Sequence, residues 1–366
     1  MKKGGFMNIL MLMDQFSVGG TETHVLTLCE TLNKSNIKTI IATLNESKIN
    51  SIYKGKINFK VIGQYEYESR IERLKKLVNL YKIDLIHCHG LESMILARKL
   101  YDLTNMPYII TIHGLYYSKE LLLYACKRAK HIIAVSKPVE QLVCDSVSRN
   151  DMDKISLIYN GIKIKKGDEI IQNNNLKYKL GIPTDAKVIL YCSRLSFSKG
   201  RLAENLIHQA KNLLEDNIYI LIVGNGVKKK SIDFYANQIN CEYKKNKIIT
   251  IGNIYNINAY YGISDIVVGT GRVTIEALNF SKPIICTGIK DYLGIFSFEN
   301  NNEILDTYFG DHGFNHKIEK LSIESSIRYL LENPGKYKEI SDWGKSYCDS
   351  NFDLEKLIKQ YMVIIN

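Results

Sequence analysis

The segment Tyr191-Cys192-Ser193-Arg194-Leu195-Ser196-Phe197-Ser198-Lys199-Gly200 carries two cations five residues apart, directly after a short apolar run. In a loop between a strand and a helix, Arg194 and Lys199 can converge on a diphosphate and neutralise it, most strongly as it leaves a reacting centre. A helix start with two solvated charges is the plainer alternative for such a pair. Further on, Val267-Val268-Gly269-Thr270-Gly271-Arg272-Val273-Thr274-Ile275-Glu276 again runs from an apolar stretch through glycines. The backbone NH groups of this loop can meet phosphate or sugar oxygens, and Glu276 can accept hydrogen bonds from a diol such as ribose. A carboxylate near a helix start also has an ordinary explanation in the helix dipole.

The first half holds two more such places. Asp14-Gln15-Phe16-Ser17-Val18-Gly19-Gly20-Thr21-Glu22 precedes an apolar helical pattern of Val25, Leu26, Leu28 and Leu32. Gly19 and Gly20 would let backbone NH groups approach a ligand phosphate. The run is neither GxGxxG nor GxxxxGK[ST], so a dinucleotide fingerprint and a P-loop are both unsupported. His113 ends another apolar run in Thr111-Ile112-His113-Gly114. The tract His87-Cys88-His89 suggests a metal, but successive residues of a strand point to opposite faces, which denies all three a shared site. These histidines are expected to be structural, with His89 able to line a cleft, and no metal site is expected.

The elements that would position these residues are short Ile, Val and Leu runs separated by amphipathic stretches, the pattern of buried parallel strands with crossover helices. In the first half the runs are 8–13, 38–42, 59–62, 85–87, 108–112, 131–135 and 155–158. A second series is 188–192, 219–223, 248–251, 266–268 and 283–286. The expected fold class is α/β: two Rossmann-like, doubly wound parallel sheets in tandem, at residues 1–162 and 187–350. The polar stretch 163–186 would link them, and 351–366 would form a helix packing back on the first domain. Ligands of such sheets sit at the carboxyl ends of the strands, where the glycine, Arg194–Lys199 and His113 segments fall.

With 366 residues, 45% hydrophobic and 24% charged, the chain has the composition of a folded two-domain protein. The eight cysteines show no CxxC spacing and are read as reduced core thiols in a cytoplasmic protein. The apolar stretch Phe6 to Met13 is short, lacks a small-residue cleavage site and runs into Asp14, which favours a buried strand over a secretion signal. No run reaches the roughly 18 to 20 apolar residues of a membrane span. The net charge of +11 is weighted to residues 1–160, with 22 Lys and Arg against 15 Asp and Glu. Such a surface suits an anionic partner, and an AT-rich genome, which enriches lysine, explains it at least as well. No nucleic-acid motif accompanies it, so nucleic acid is not an expected partner.

The motifs occur in one order: GGTE, HG, AVSK, YNGI, RLSFSKG, VGNG and GTGRVTIEAL. Together they resemble the family 4 glycosyltransferases of the GT-B fold, from Met7 to about Gly288. The resemblance implies two domains facing across a cleft and retaining, metal-independent transfer from a nucleoside-diphosphate sugar, commonly UDP-linked, to a hydroxyl acceptor. No cofactor is implied. Gly19 and Gly20 match the family's glycine loop beside the donor phosphates, and Arg194 and Lys199 its diphosphate-holding basic pair. Gly224 of VGNG is assigned to the same donor site. Gly269, Thr270, Gly271, Arg272 and Val273 match its GFGLP-type loop, and Glu276 the ribose-binding second acid of its E-x7-E motif. His113 matches a histidine near the donor sugar and acceptor. The first acid of E-x7-E falls at Val268, and Arg272 stands where the family has an apolar residue. Acceptors would be glycans, lipid-linked sugars or proteins in cell-surface glycan synthesis.

Two other functions stay open on this sequence. A catalytically silent GT-B subunit supporting a partner transferase would accommodate Val268, whereas a sugar-nucleotide epimerase would need acid/base carboxylates in the cleft and lacks the RLSxxKG element, which disfavours it. The stretch 114–128, GLYYSKELLLYACKR, mixes leucines and tyrosines with Lys119, Lys127 and Arg128. It has two readings, an ordinary helix with one core face or an interfacial helix at the inner face of an anionic membrane.

Overall fold

The computed structural model describes residues 7–17, 19–45, 58–63, 67–165, 174–254, 256–288, 292–312 and 322–365. The chain divides into two compact units, Met1–Lys163 with Phe352–Asn366, and Ile164–Asn351.

In the first unit, β1 (Met7–Met13), β2 (Ile37–Thr43), β3 (Phe59–Val61), β4 (Leu85–Cys88), β5 (Tyr108–Ile112), β6 (His131–Ala134) and β7 (Ile155–Leu157) form a parallel sheet. Its order is β3-β2-β1-β4-β5-β6-β7. Alternation along the strands divides the core into two layers. Leu10, Leu12, Ile86 and Ile110 pack with the helices Tyr67–Tyr81 and Leu91–Thr104. Ile9, Met11, Ile109 and Ile133 pack on the other face with the helix Gly20–Asn33 and the tail helix Leu354–Ile365. Because both faces are covered, the strands are apolar nearly throughout, which is why they stand out in the sequence.

The tail helix buries Leu354, Leu357, Ile358, Tyr361, Ile364 and Ile365. At about 2 kcal/mol for each large apolar side chain removed from water, this face fixes the chain's return to the first sheet. Backbone bonds Ile162 N to Phe352 O (2.8 Å) and Leu354 N to Ile162 O (3.0 Å) seat its start.

The second unit contains β8 (Lys187–Cys192), β9 (Ile218–Val223), β10 (Ile248–Ile251), β11 (Ile266–Gly269), β12 (Ile284–Thr287) and β13 (Tyr292–Ile295), in the order β10-β9-β8-β11-β12-β13. β13 runs antiparallel to β12 and has no counterpart among the expected strands. Its four residues include Gly294, too short a run to show a period.

Part of the stretch expected as a linker is built into this unit, and residues 166–173 lie outside the described residues. Asn174–Lys179 is a short helix, and the buried Lys177 donates to the carbonyls of Thr184 (3.0 Å) and Ala186 (2.8 Å). A lysine used to satisfy buried carbonyls reads as a polar linker residue in sequence. In both sheets the winding reverses at the first strand, between β1 and β4 and between β8 and β11. These switch points open crevices at the strands' carboxyl ends.

Candidate active site

In the second unit, both expected donor segments leave the carboxyl ends of the switch-point strands, the 193–200 segment from β8 and the 270–276 segment from β11. Arg194 is exposed and pairs with no carboxylate among the described residues. Lys199, expected in the loop, instead lies in the first turn of the helix Phe197–Gln209. The hydroxyl of Ser196 caps that turn by accepting from Lys199 N at 3.4 Å. A serine followed by a helical pattern is an N-cap signal, and it moves the helix start ahead of the lysine. Lys199 Nζ pairs with Asp311 Oδ1 at 2.8 Å, and Tyr191 donates to the Lys199 carbonyl at 2.6 Å.

Gly224 owes its glycine to packing. It sits just past β9 with φ +142°, and a Cβ there would stand 1.9 Å from the Ser193 carbonyl oxygen. Only a glycine lets the β9 turn close on the Arg194 loop, which it then holds through Ser193 N to Val223 O and Leu195 N to Asn225 O (3.0 and 2.9 Å).

The glycine loop after β11 turns at Gly271, φ +62°, where a Cβ would meet Asp311 Oδ2 at 2.7 Å. Thr270 is buried, and its hydroxyl has no hydrogen-bond partner among the described residues. Buried hydroxyls are normally satisfied, so an orphan in a glycine loop fits a place where a ligand's polar atoms would arrive. Gly269 ends β11, and Val273 lies in the first turn of the helix Arg272–Leu278.

Glu276 is held on both sides. Its Oε1 accepts from Arg272 Nε at 2.9 Å and its Oε2 from the buried Tyr261 hydroxyl at 3.1 Å. Arg272 is thus not a solvated first-turn charge: its i,i+4 spacing sets Nε against Glu276, with the side chain largely shielded. Burial pushes the Tyr261 phenol well above its ordinary pKa, which keeps it a donor to the carboxylate. Val268 is fully buried among Ile189, Tyr191 and Ile285, so this position of β11 belongs to the core.

In the first unit, the helix Gly20–Asn33 starts at the end of β1 with Gly19 as an extended N-cap and no side chain capping it. Glu22, in its first turn, folds back to accept from Ser17 Oγ at 2.8 Å. His113, just past β5, contacts His89 through Nε2 to Nδ1 at 3.1 Å. His87 and His89 share a face with ring centroids 4.1 Å apart, His24 lies 5.6 Å from His113, and Tyr361 of the tail helix approaches His24 Nε2 at 3.4 Å. Burial holds His87 down to about 3 and His89 well below the ordinary histidine range, so both are neutral at physiological pH. Cys88 points away into the opposite layer, with Leu10 and Leu12. Among the described residues no group of three or more His, Cys, Asp or Glu side chains could hold a metal ion.

Asp311 and Tyr261 are the site residues that sequence reasoning missed. Tyr261 stands in a six-residue helix, Asn258–Ile263, and Asp311 follows a left-handed turn, so neither carries a motif.

Two doubly wound units with charged and glycine-rich turns at their switch points define a GT-B protein. The chain belongs to the GT-B glycosyltransferases: Glycosyltransferase Family 4 matches residues 18–166 and Glycosyl transferases group 1 matches residues 172–342. It is 26% identical over 256 residues to an uncharacterised glycosyltransferase of Methanocaldococcus jannaschii, covering 63% of this chain and 64% of that one. It is also 26% identical over 250 residues to the UDP-Gal:alpha-D-GlcNAc-diphosphoundecaprenol alpha-1,3-galactosyltransferase of Escherichia coli, covering 60% of this chain and 63% of that one. The matched stretches thus span a little under two thirds of these relatives. The fold is similar to that of Anabaena HepE, solved with UDP and glucose, at a TM-score of 0.75 and 19% identity, covering 98% of this chain and 99% of that one.

Proposed function

We propose that the chain transfers a sugar from a nucleoside-diphosphate sugar, UDP-linked, to a hydroxyl acceptor, with retention of configuration and without a metal ion. The observation that carries this reading is the convergence of Lys199, the Gly269–Gly271 loop and the Arg272–Glu276–Tyr261 network at the β8/β11 switch point. Lys199 and the exposed Arg194 supply positive charge for the diphosphate, the loop supplies NH groups, and Glu276 supplies an oriented acceptor for ribose hydroxyls. The UDP complexes of HepE and the UDP-galactose donor in the name of the E. coli relative support the choice of base.

In this mechanism the acceptor hydroxyl attacks the face from which UDP departs. The leaving phosphate oxygen takes the acceptor proton, while Arg194 and Lys199 stabilise the charge that develops on it. His113 contributes binding and orientation. Its Nε2 is engaged by a neutral histidine, and proton abstraction is not assigned to it.

Incubation with UDP-sugars and lipid-linked acceptors in excess EDTA should give UDP release and a glycosylated product by mass spectrometry. Binding of UDP without turnover on any acceptor would favour a silent subunit, and activity abolished by EDTA would remove the metal-independent assignment.

The acceptor side is proposed to meet an anionic membrane surface on the cytoplasmic side. Among the described residues no helix is long and apolar enough to cross a membrane. The helix Lys119–Cys126 turns Leu122, Ala125 and Cys126 inward yet leaves Leu121 and Leu123 exposed. Leu115, at 41% exposure, Tyr116, at 74%, and the exposed Lys119, Lys127 and Arg128 complete an apolar and basic surface. This is the composition of an interfacial element. Sedimentation with phosphatidylglycerol vesicles should carry the protein down at low salt, and Leu121→Ser with Leu123→Ser should weaken the association about tenfold. Equal partitioning into phosphatidylcholine and phosphatidylglycerol, or no partitioning, would remove the membrane assignment.

A further inference from the structure

A carboxylate beside the proposed phosphate contacts comes from a distant turn. Asp311 Oδ1 accepts from Lys199 Nζ at 2.8 Å, and its Oδ2 lies against Gly271, close enough that a Cβ there would stand 2.7 Å away. Both charged side chains are largely shielded, at 27% exposure for Lys199 and 20% for Asp311. One carboxylate therefore bridges the basic segment after β8 and the glycine loop after β11.

The turn that delivers Asp311 is strained and firmly held. Tyr308 and Phe309 both adopt left-handed backbone conformations, φ 52° and 55°, which bulky residues rarely enter. Both side chains are buried, and Tyr308 stacks on His312 at 4.9 Å. Phe309 N bonds Ile304 O at 2.9 Å, Gly310 N bonds Thr307 Oγ1 at 2.8 Å, and His312 N bonds Thr307 O at 3.0 Å. Strain that surrounding contacts over-determine is characteristic of segments that place a functional group.

An ammonium has three N–H donors on a flexible stem. Asp311 takes one of them, and the Tyr191 hydroxyl fixes the lysine's carbonyl at 2.6 Å, so Lys199 is held at both ends with two donors left over. We propose that Asp311 is a positioning residue of the donor site, holding the Lys199 ammonium beside Gly271 so that its remaining donors meet a donor phosphate without an ordering cost on binding. This rests on the donor-site reading above.

Titration calorimetry with UDP tests it. Asp311→Ala should weaken UDP binding about tenfold and raise the donor KM in parallel, whereas Asp311→Asn, which keeps an oxygen acceptor for Lys199, should recover most of the loss. In a Lys199→Ala background, Asp311→Ala should cause no further loss and should recover part of the affinity, because the unpaired carboxylate no longer repels the phosphate. Asp311→Glu keeps the charge but shifts it by one methylene. It should weaken binding about threefold or more, and it keeps the proposal testable if the alanine variant melts early. Tighter UDP binding by Asp311→Ala would show a carboxylate that competes with phosphate and would overturn the positioning role. So would an unchanged affinity, or equal effects with and without Lys199. Absence of UDP binding by the wild-type chain would instead overturn the donor-site reading itself.

Discussion

Lys199→Ala is expected to lower kcat/KM for the UDP-sugar about 100- to 1,000-fold, the largest loss from any single substitution outside the core. Two effects add. The variant loses the cation that meets charge developing on the leaving phosphate. It also leaves Asp311, largely shielded beside Gly271, without its partner, adding repulsion where the phosphate must sit. Arg194→Ala should cost less, about 10- to 100-fold, because the exposed Arg194 leaves no stranded carboxylate behind. Lys199→Arg should fall between, since a guanidinium preserves charge but not the geometry of an ammonium bound to Asp311. Steady-state kinetics on all three variants, with melting temperatures as a control, checks this ranking. Activity of Lys199→Ala within about threefold of wild type would remove Lys199 from the donor site.

The second large effect is on stability against acid. His87, held down to about 3 by burial, and His89, held well below the ordinary range by burial and by His87, His113 and His24 nearby, stay neutral in the folded chain. Their unfolded counterparts take up protons near pH 6.5, so below that pH the unfolded state binds more protons and stability falls with pH. Above pH 6.5 both states are neutral and the term vanishes. Each histidine that stays neutral costs about 1.4 kcal/mol per pH unit below pH 6.5, and the two act in the same direction. His131, also lowered by burial, adds in the same direction, while Asp14, raised by burial, opposes it only near the carboxylate range. The first unit should therefore melt markedly earlier at pH 5 than at pH 7.5. His87→Gln should flatten that slope whatever it does to the melting temperature at pH 7.5. A melting temperature unchanged from pH 7.5 to 5 would contradict the buried neutral cluster.

The strands were legible because sheets covered on both faces leave near-continuous apolar runs, as in Ile218–Val223. The tail helix was legible too, since Leu354, Leu357, Ile358 and Tyr361 follow helical spacing and all four are buried. β13 was not, because an antiparallel edge strand of four residues has neither length nor alternation to offer. At the site, Arg194, Lys199 and Glu276 announced themselves by position after strands, but their partners did not. Asp311 reaches Lys199 from more than a hundred residues away through a left-handed turn, and Tyr261 reaches Glu276 from the end of a short helix. Gly224 was assigned to the donor site by resemblance, whereas the physical reason for a glycine there, the Ser193 carbonyl 1.9 Å from where a Cβ would stand, is a tertiary contact that no local pattern encodes. The same holds for Arg272, whose oddness in the loop resolves into an ion pair with Glu276 one turn later.

The central claim is the location of the nucleotide, and hydrogen–deuterium exchange with and without saturating UDP tests it most directly. Slower exchange in residues 193–200 and 269–276, diminished in Lys199→Ala at the same UDP concentration, is the predicted result. Protection confined to the first unit, or none at saturating UDP, would contradict a donor site at the β8/β11 switch point.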